Sequence, residues 1–125
     1  MSNKTYLGSV TRETRPFILD VTKLRRANAK VTTATAYKEG DLLVLSDANV
    51  LTHATDEKTW NVVCGQDVTT VQATQMALDG VEIPIYFGGV FSIEAVRLSG
   101  VYLASAKYDA ARAKATLNQI EFSKV

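Results

Sequence analysis

The sequence predicts a mainly β fold with one or two short helices, preceded by an extended N-terminal arm. Three observations carry this. Apolar residues fall in short runs that alternate with polar ones or lie between turn residues, the pattern of strands. The clearest helical composition, Asp109 to Leu117, is short and alanine-rich. Residues 1–16 sustain neither a strand period nor a helix period, so they read as an arm.

Each element follows in chain order. Pro16 biases Arg15 toward an extended conformation and suits the start of an edge strand. Phe17 to Thr22 alternates Phe17, Leu19 and Val21 against Ile18, Asp20 and Thr22, a strand with one apolar face. Val31 to Tyr37, rich in threonine and alanine, favours an extended state with Val31, Thr33, Thr35 and Tyr37 on one face. The body begins firmly at Gly40. Leu42 to Leu45 is a continuous apolar run, as expected of a strand covered on both sides. Ser46-Asp47-Ala48-Asn49 supplies turn chemistry, and Val50-Leu51 returns as the hairpin partner. Trp60 to Cys64 reads as the next strand.

Residues 67–79 admit two readings. Val71, Thr74 and Leu78 fit one helical face with Gly80 as the residue that ends it, while Val68 to Val71 is β-branched. Val81 to Ile93 reads as a hairpin turning at Gly88-Gly89, because positive φ costs glycine little. Pro84, which has no N–H to donate, places its strand at an edge or beside a bulge. Glu94 to Leu98 fits a short helical turn. Asp109 is the expected N-cap of a helix over Ala110 to Leu117, with Asn118 closing it in the left-handed region. Gln119 to Val125 alternates as a final strand with Ile120 and Phe122 on one face.

A chain of 125 residues makes one domain, and 46% apolar with 22% charged residues is the composition of a folded chain, which excludes the disordered class. Apolar runs are too short to span a bilayer and no basic-then-apolar leader opens the chain, so no membrane partner is expected. Net charge is +1, but it is split. Residues 1–30 carry seven basic against two acidic residues, a net +5; residues 31–125 carry seven against eleven, a net −4. The expected organisation is therefore a basic arm over 1–30 and a single β-rich body over 31–125. Such an arm seeks an acidic surface or nucleic acid, or it simply solvates a terminus.

Little in the sequence points to catalysis. Cys64 and His53 are the only thiol and imidazole; the lone cysteine forms no internal disulfide, and the pair cannot build a zinc site. A thiol nucleophile would need His53 as its base, yet Cys64 sits in an apolar run where cysteine behaves as an inert hydrophobe. The acids Asp56/Glu57 and Asp79/Glu82 lie by turns, without the convergence that metal or two-carboxylate chemistry needs. No phosphate-binding glycine motif occurs. No catalytic residue, metal or cofactor is expected. The candidate binding residues are those of the arm: Arg12, Arg15, Pro16, Phe17, Leu19, Val21, Lys23, Arg25 and Arg26. The basic ones could meet phosphates, but Tyr6 and Phe17 are the only aromatics near for base stacking, and strand addition suits the segment at least as well.

From Gly40 onward the order of elements resembles the head-decoration proteins of lambda-like tailed bacteriophages. The resemblance rests on Leu42-Leu43-Val44-Leu45 with its polar turn and return, and on Val62-Val63-Cys64-Gly65. It continues through Ile85-Tyr86-Phe87-Gly88-Gly89, Val90 to Val96, and the closing Asp109 to Leu117 followed by Gln119-Ile120-Glu121-Phe122. It covers about two thirds of the chain, with a longer 66–80 segment and a longer, more basic arm than the family pattern. The resemblance implies a compact β-clip-like body that self-associates as a trimer, with a dimer as the alternative. It implies attachment to the outer surface of the expanded virion capsid after synthesis in the host cytoplasm. There the arm would add strand to the major capsid protein, and the protein would hold the head against internal DNA pressure without catalysis. The alternatives are a tail or baseplate accessory subunit, a small β-rich nucleic-acid-binding module using the basic arm, and, last, a cysteine hydrolase.

Overall fold

The computed structural model describes residues 17–124. Within them the order is β1 (Ile18–Lys30), β2 (Leu42–Leu45), β3 (Leu51–His53), β4 (Val62–Cys64), α1 (Thr70–Asp79), β5 (Glu82–Ser92), β6 (Arg97–Leu98), β7 (Val101–Tyr102), α2 (Tyr108–Leu117) and β8 (Ile120–Ser123). The fold is mainly β with two helices, as the sequence pattern predicts. The arm over residues 1–16 lies outside the described residues.

β5 organises the sheet. One of its edges pairs antiparallel with β1 from Glu82 to Phe91. Its other edge is shared: β4 takes Ile85 and Tyr86, and β8 runs parallel beside Gly89 to Ser92. β2 then pairs with β4, and β3 with β2, giving the order β1-β5-β4-β2-β3 with β8 beside β5. The N–H of Lys30 donates to the Asn49 carbonyl at 2.9 Å, and Lys30 bridges Val50, so the sheet curls until the end of β1 meets the β2–β3 turn.

Adjacent strand residues point to opposite faces, and both faces are covered. Leu42 and Val63 enter a core with Trp60, Phe91, Phe122 and α2's Ala111 and Ala115. Their neighbours Leu43, Val62 and Cys64 enter a second core with Tyr37, Ile83, Ile85 and α1's Ala73. This is why Leu42 to Leu45 reads as continuously apolar. The turn after it forms as expected, with Asn49 at φ 63° and its N–H donating to the Ser46 carbonyl at 2.9 Å.

Several expectations are corrected. The segment from Val81 to Ile93 holds one strand, β5 over Glu82–Ser92, and not a hairpin. Gly88 and Gly89 serve clearance: a Cβ on Gly88 would lie 2.8 Å from Arg25 Cδ, and one on Gly89 2.9 Å from the Phe91 ring. The two-residue turn with positive φ at both positions occurs instead at Ser99 (51°) and Gly100 (88°), joining β6 to β7. Pro84 sits in a central strand. Its carbonyl accepts from the Gly65 N–H at 3.1 Å, and a strand residue's N and O point the same way. Its missing donor therefore falls on the β4 side, just past Cys64, and no β1 ladder bond is lost.

Residues 31–37 form no strand. The chain turns at Ala34 (φ 56°), and buried Tyr37 makes only an isolated bridge to Val68. The Tyr37 hydroxyl accepts from the Thr32 N–H at 3.0 Å and donates to the Leu51 carbonyl at 2.9 Å, which makes its burial tolerable. The ambiguous 67–79 segment resolves as α1, started by a capping box between Thr69 and Gln72 and ended by Gly80 at φ 70°. Its buried face is not the expected one: Ala73 and Met76 turn inward, while Val71 and Leu78 are 79% and 77% exposed. The stretch after Ile93–Ala95, a single 3-10 turn, enters β6 rather than continuing as helix. Asp109 lies inside the first turn of α2, where its charge suits the helix dipole, and Lys107 occupies the cap position. Gln119 (φ 61°), not Asn118, takes the left-handed conformation before β8. Ile120 and Phe122 are buried as the alternation requires.

Candidate functional site

The expected arm residues fall into three groups. Arg12, Arg15 and Pro16 lie outside the described residues. Phe17 is in the core: its ring stacks on Phe91 at 4.8 Å between centroids, and its carbonyl accepts from the Ser92 N–H at 2.9 Å. It is packed in the body and offers no free ring to a partner. Leu19 is half-buried, whereas Val21, Lys23, Arg25 and Arg26 are exposed along β1. Residues 18–30, counted with the arm on charge alone, are thus part of the sheet. The reason is length: β5 offers eleven residues of edge, and β1 uses it from end to end.

The ladder shifts register three times, and the largest break is in its middle. Asp20 pairs with Val90 and Arg25 with Gly88, so four β1 residues, 21–24, stand opposite Gly89 alone. Asp20 shapes this bulge: its carboxylate accepts from the Thr22 N–H at 2.9 Å and hydroxyl at 2.6 Å. These two bonds hold the carboxyl below its ordinary pKa, helped by Lys23. Leu24 turns inward against the core while Val21, 71% exposed, and Lys23 face outward. Beyond the bulge the Arg25 guanidinium lies over the Phe87 ring at 5.1 Å and donates to Gln119 Oε1 at 3.3 Å. With Asn61, Leu117 and Asn118 these residues line an open hollow of about 350 Å³. It sits where β4 has ended and β8 has not yet begun along the same edge of β5.

Phe87, Leu117 and Gln119 are the members of this surface that sequence reading missed. In the sequence Phe87 reads as one face of a hairpin and Leu117 as the last residue of a helix; the β1–β5 pairing sets Phe87 beside Arg25, and the parallel β5–β8 pairing brings in Leu117 and Gln119.

The structure does not bring His53 and Cys64 together. β2 lies between their strands, which keeps them roughly 10 Å apart at two interstrand spacings. His53 stacks on Tyr37, and its Nε2 lies 2.7 Å from the Ala36 carbonyl. Cys64 is fully buried and its thiol donates to the Gln66 carbonyl at 3.1 Å. Burial pushes that thiol up to about 12, the opposite of what a thiolate nucleophile requires. The acids are dispersed as well. Glu57 lies 3.8 Å from Lys107, and Asp41, buried beneath the sheet end, pairs with Arg97 at 3.2 Å and accepts from the Lys38 N–H at 2.8 Å. Near Asp41 a second hollow, about 440 Å³, is lined by Tyr37, Lys38, His53, Arg97 and Ser99. Glu39 and Asp67 lie close, and burial, then the Asp67 charge, raises the Glu39 carboxyl. Among the described residues no cluster of side chains could hold a metal ion, and no helix is long and apolar enough to cross a membrane. Neither protein-family models nor curated proteins match the chain.

Proposed function

We propose that this chain is a phage capsid decoration protein, a non-enzymatic cement that docks on the outside of the expanded head through its basic N-terminal side. The observation that carries the reading is the edge of β1. From residue 18 to 27 its outer side has no strand partner among the described residues, and residues 1–16 lead directly into it. An unpaired edge is a template for another chain's strand. Lys23, Arg25 and Arg26 line it, so an approaching acidic surface is favoured and uncontrolled pairing between copies is opposed. Exposed Val21 supplies apolar contact beside them. Phe17 has a supporting part in this version of the docking: it fixes the start of β1 to the body.

The test is binding of the full-length protein to undecorated expanded heads and to tails of the phage that encodes it, and to oligonucleotides, from low to moderate salt. Strand addition with apolar contact survives the salt increase, because exposed charges are screened beyond about 8 Å at physiological salt. Phosphate neutralisation does not survive it: affinity falls with a log–log slope of about −0.7 per contact on single strands. The expected result is salt-resistant binding to heads with weak, salt-labile oligonucleotide binding. Tight oligonucleotide binding with a steep slope, and none to heads, overturns the proposal in favour of the nucleic-acid module. Binding to tails alone assigns the chain to the accessory-subunit alternative.

A further inference from the structure

We infer that copies of this chain associate head to tail, with Leu78 and Asp79 at the end of α1 seated in the Arg25–Phe87–Leu117 hollow of the next copy. The contact gives a surface to the self-association in the proposed function. It rests on that part of the reading alone, since it needs no capsid.

Two exposed apolar places are concerned. Leu78, 77% exposed, projects from the last turn of α1 with Asp79 beside it. Leu117, 79% exposed, and half-buried Phe87 flank the hollow that Arg25 crosses. Leu117 and Phe87 form an apolar wall of the hollow, and Leu78 is an apolar end of a size to enter it. Their charges are opposite. Between Lys58 and Arg97 the chain has no lysine or arginine, and Asp79 and Glu82 are the charged residues that flank the end of α1. The hollow carries Arg25, with Arg26 next along β1. The Asp79 carboxylate accepts at one oxygen from Gln75 at 2.9 Å, which leaves the other for a guanidinium.

Within one chain the two places cannot meet. Glu82 to Phe87 spans five residues of β5, roughly 17 Å of extended strand. Nor does either place suit itself, because Arg25 against Arg25 and Asp79 against Asp79 are repulsive pairs. A surface that fits a different surface on an identical molecule makes a heterologous contact, which closes into a ring or runs on as a chain.

Charge exchange between the two places tests the inference, by analytical ultracentrifugation of full-length protein without capsids. Arg25→Glu and Asp79→Lys should each weaken association at least tenfold. The double variant, which restores opposite charges across the contact, should recover most of it. An equimolar mixture of the two single variants should associate where each alone does not. Circular dichroism confirms that the variants fold; both positions are exposed, and a lysine at the end of α1 also suits the helix dipole. Association unchanged by the single variants, failure of the double variant and the mixture to recover it, or a wild-type monomer at several hundred micromolar overturns the inference. Wild-type protein that self-associates but does not bind heads instead counts against the capsid reading.

Discussion

Replacing Phe17 by alanine tests whether the body begins at Phe17 or only after residue 30. The ring is 8% exposed, stacks on Phe91 with an 18° interplanar angle, and passes close to Gly40. Core Phe→Ala substitutions cost about 3–5 kcal/mol, of which an aromatic pair contributes about 0.5–1.5. Phe17 sits at the start of a strand, where the surroundings can partly close over the lost ring, so the lower end applies: about 3 kcal/mol. For a domain of this size that corresponds to a fall of roughly 10 °C in Tm. The assay is urea unfolding of the full chain followed by the fluorescence of Trp60, the single tryptophan, which is buried in the same core. The midpoint should fall with the slope unchanged. Val21→Ala, at an exposed position on the same strand, should change stability by less than about 0.5 kcal/mol. A Phe17→Ala variant as stable as wild type would mean that Phe17 belongs to a free arm, and the assignment of β1 to the body would be wrong.

Two further outcomes follow from buried groups. The Cys64 thiol ionises near its ordinary value in the unfolded chain but only at about 12 when folded, so its contribution is complete below about pH 8.5 and is lost as pH rises toward 12, at roughly 1.4 kcal/mol per unit. Cys64→Ala should flatten the decline in unfolding free energy between pH 8.5 and 10; equal slopes in the two proteins refute this. Gly40→Ala should cost more than about 2 kcal/mol, because φ is 96° and the new Cβ would lie 2.5 Å from the Ala95 carbonyl oxygen. Gly80→Ala, at φ 70° with open space around it, should cost about 1 kcal/mol, and equal costs in denaturant melts would refute the role given to the Gly40 contact.

The proposed docking and the inferred self-association would make different demands on this molecule. The first would use the outer edge of β1, and the second the rim where β4 ends and β8 begins. Arg25 lies on both, so its substitution should be read in the absence of capsid before it is read in its presence.

What the residues determined alone was local. Short alternating runs set the β class, and Leu42 to Leu45 announced a strand covered on both sides because two adjacent leucines each had to be buried. Ser46 to Asn49 fixed a turn through its own side chains, and the alternation of Ile120 and Phe122 fixed which face of β8 is inward. What the tertiary structure decided was every choice that depends on a distant partner. Gly88-Gly89 carries the chemistry of a turn, yet it runs straight because β1 and β8 flank it and Arg25 and Phe91 need the space a side chain would fill. The buried face of α1 went to Ala73 and Met76 rather than Val71 and Leu78, since the helix is placed by the sheet beneath it and not by its own apolar residues. Residues 18–30 were charged enough to look like an arm, but charge says only that a residue's tip reaches water, which an edge strand also allows. The hollow at Arg25 was beyond sequence reading altogether, because Phe87 reaches it through the pairing of β1 with a strand more than fifty residues away, and Leu117 and Gln119 through a parallel pairing between strands separated by a hairpin and a helix.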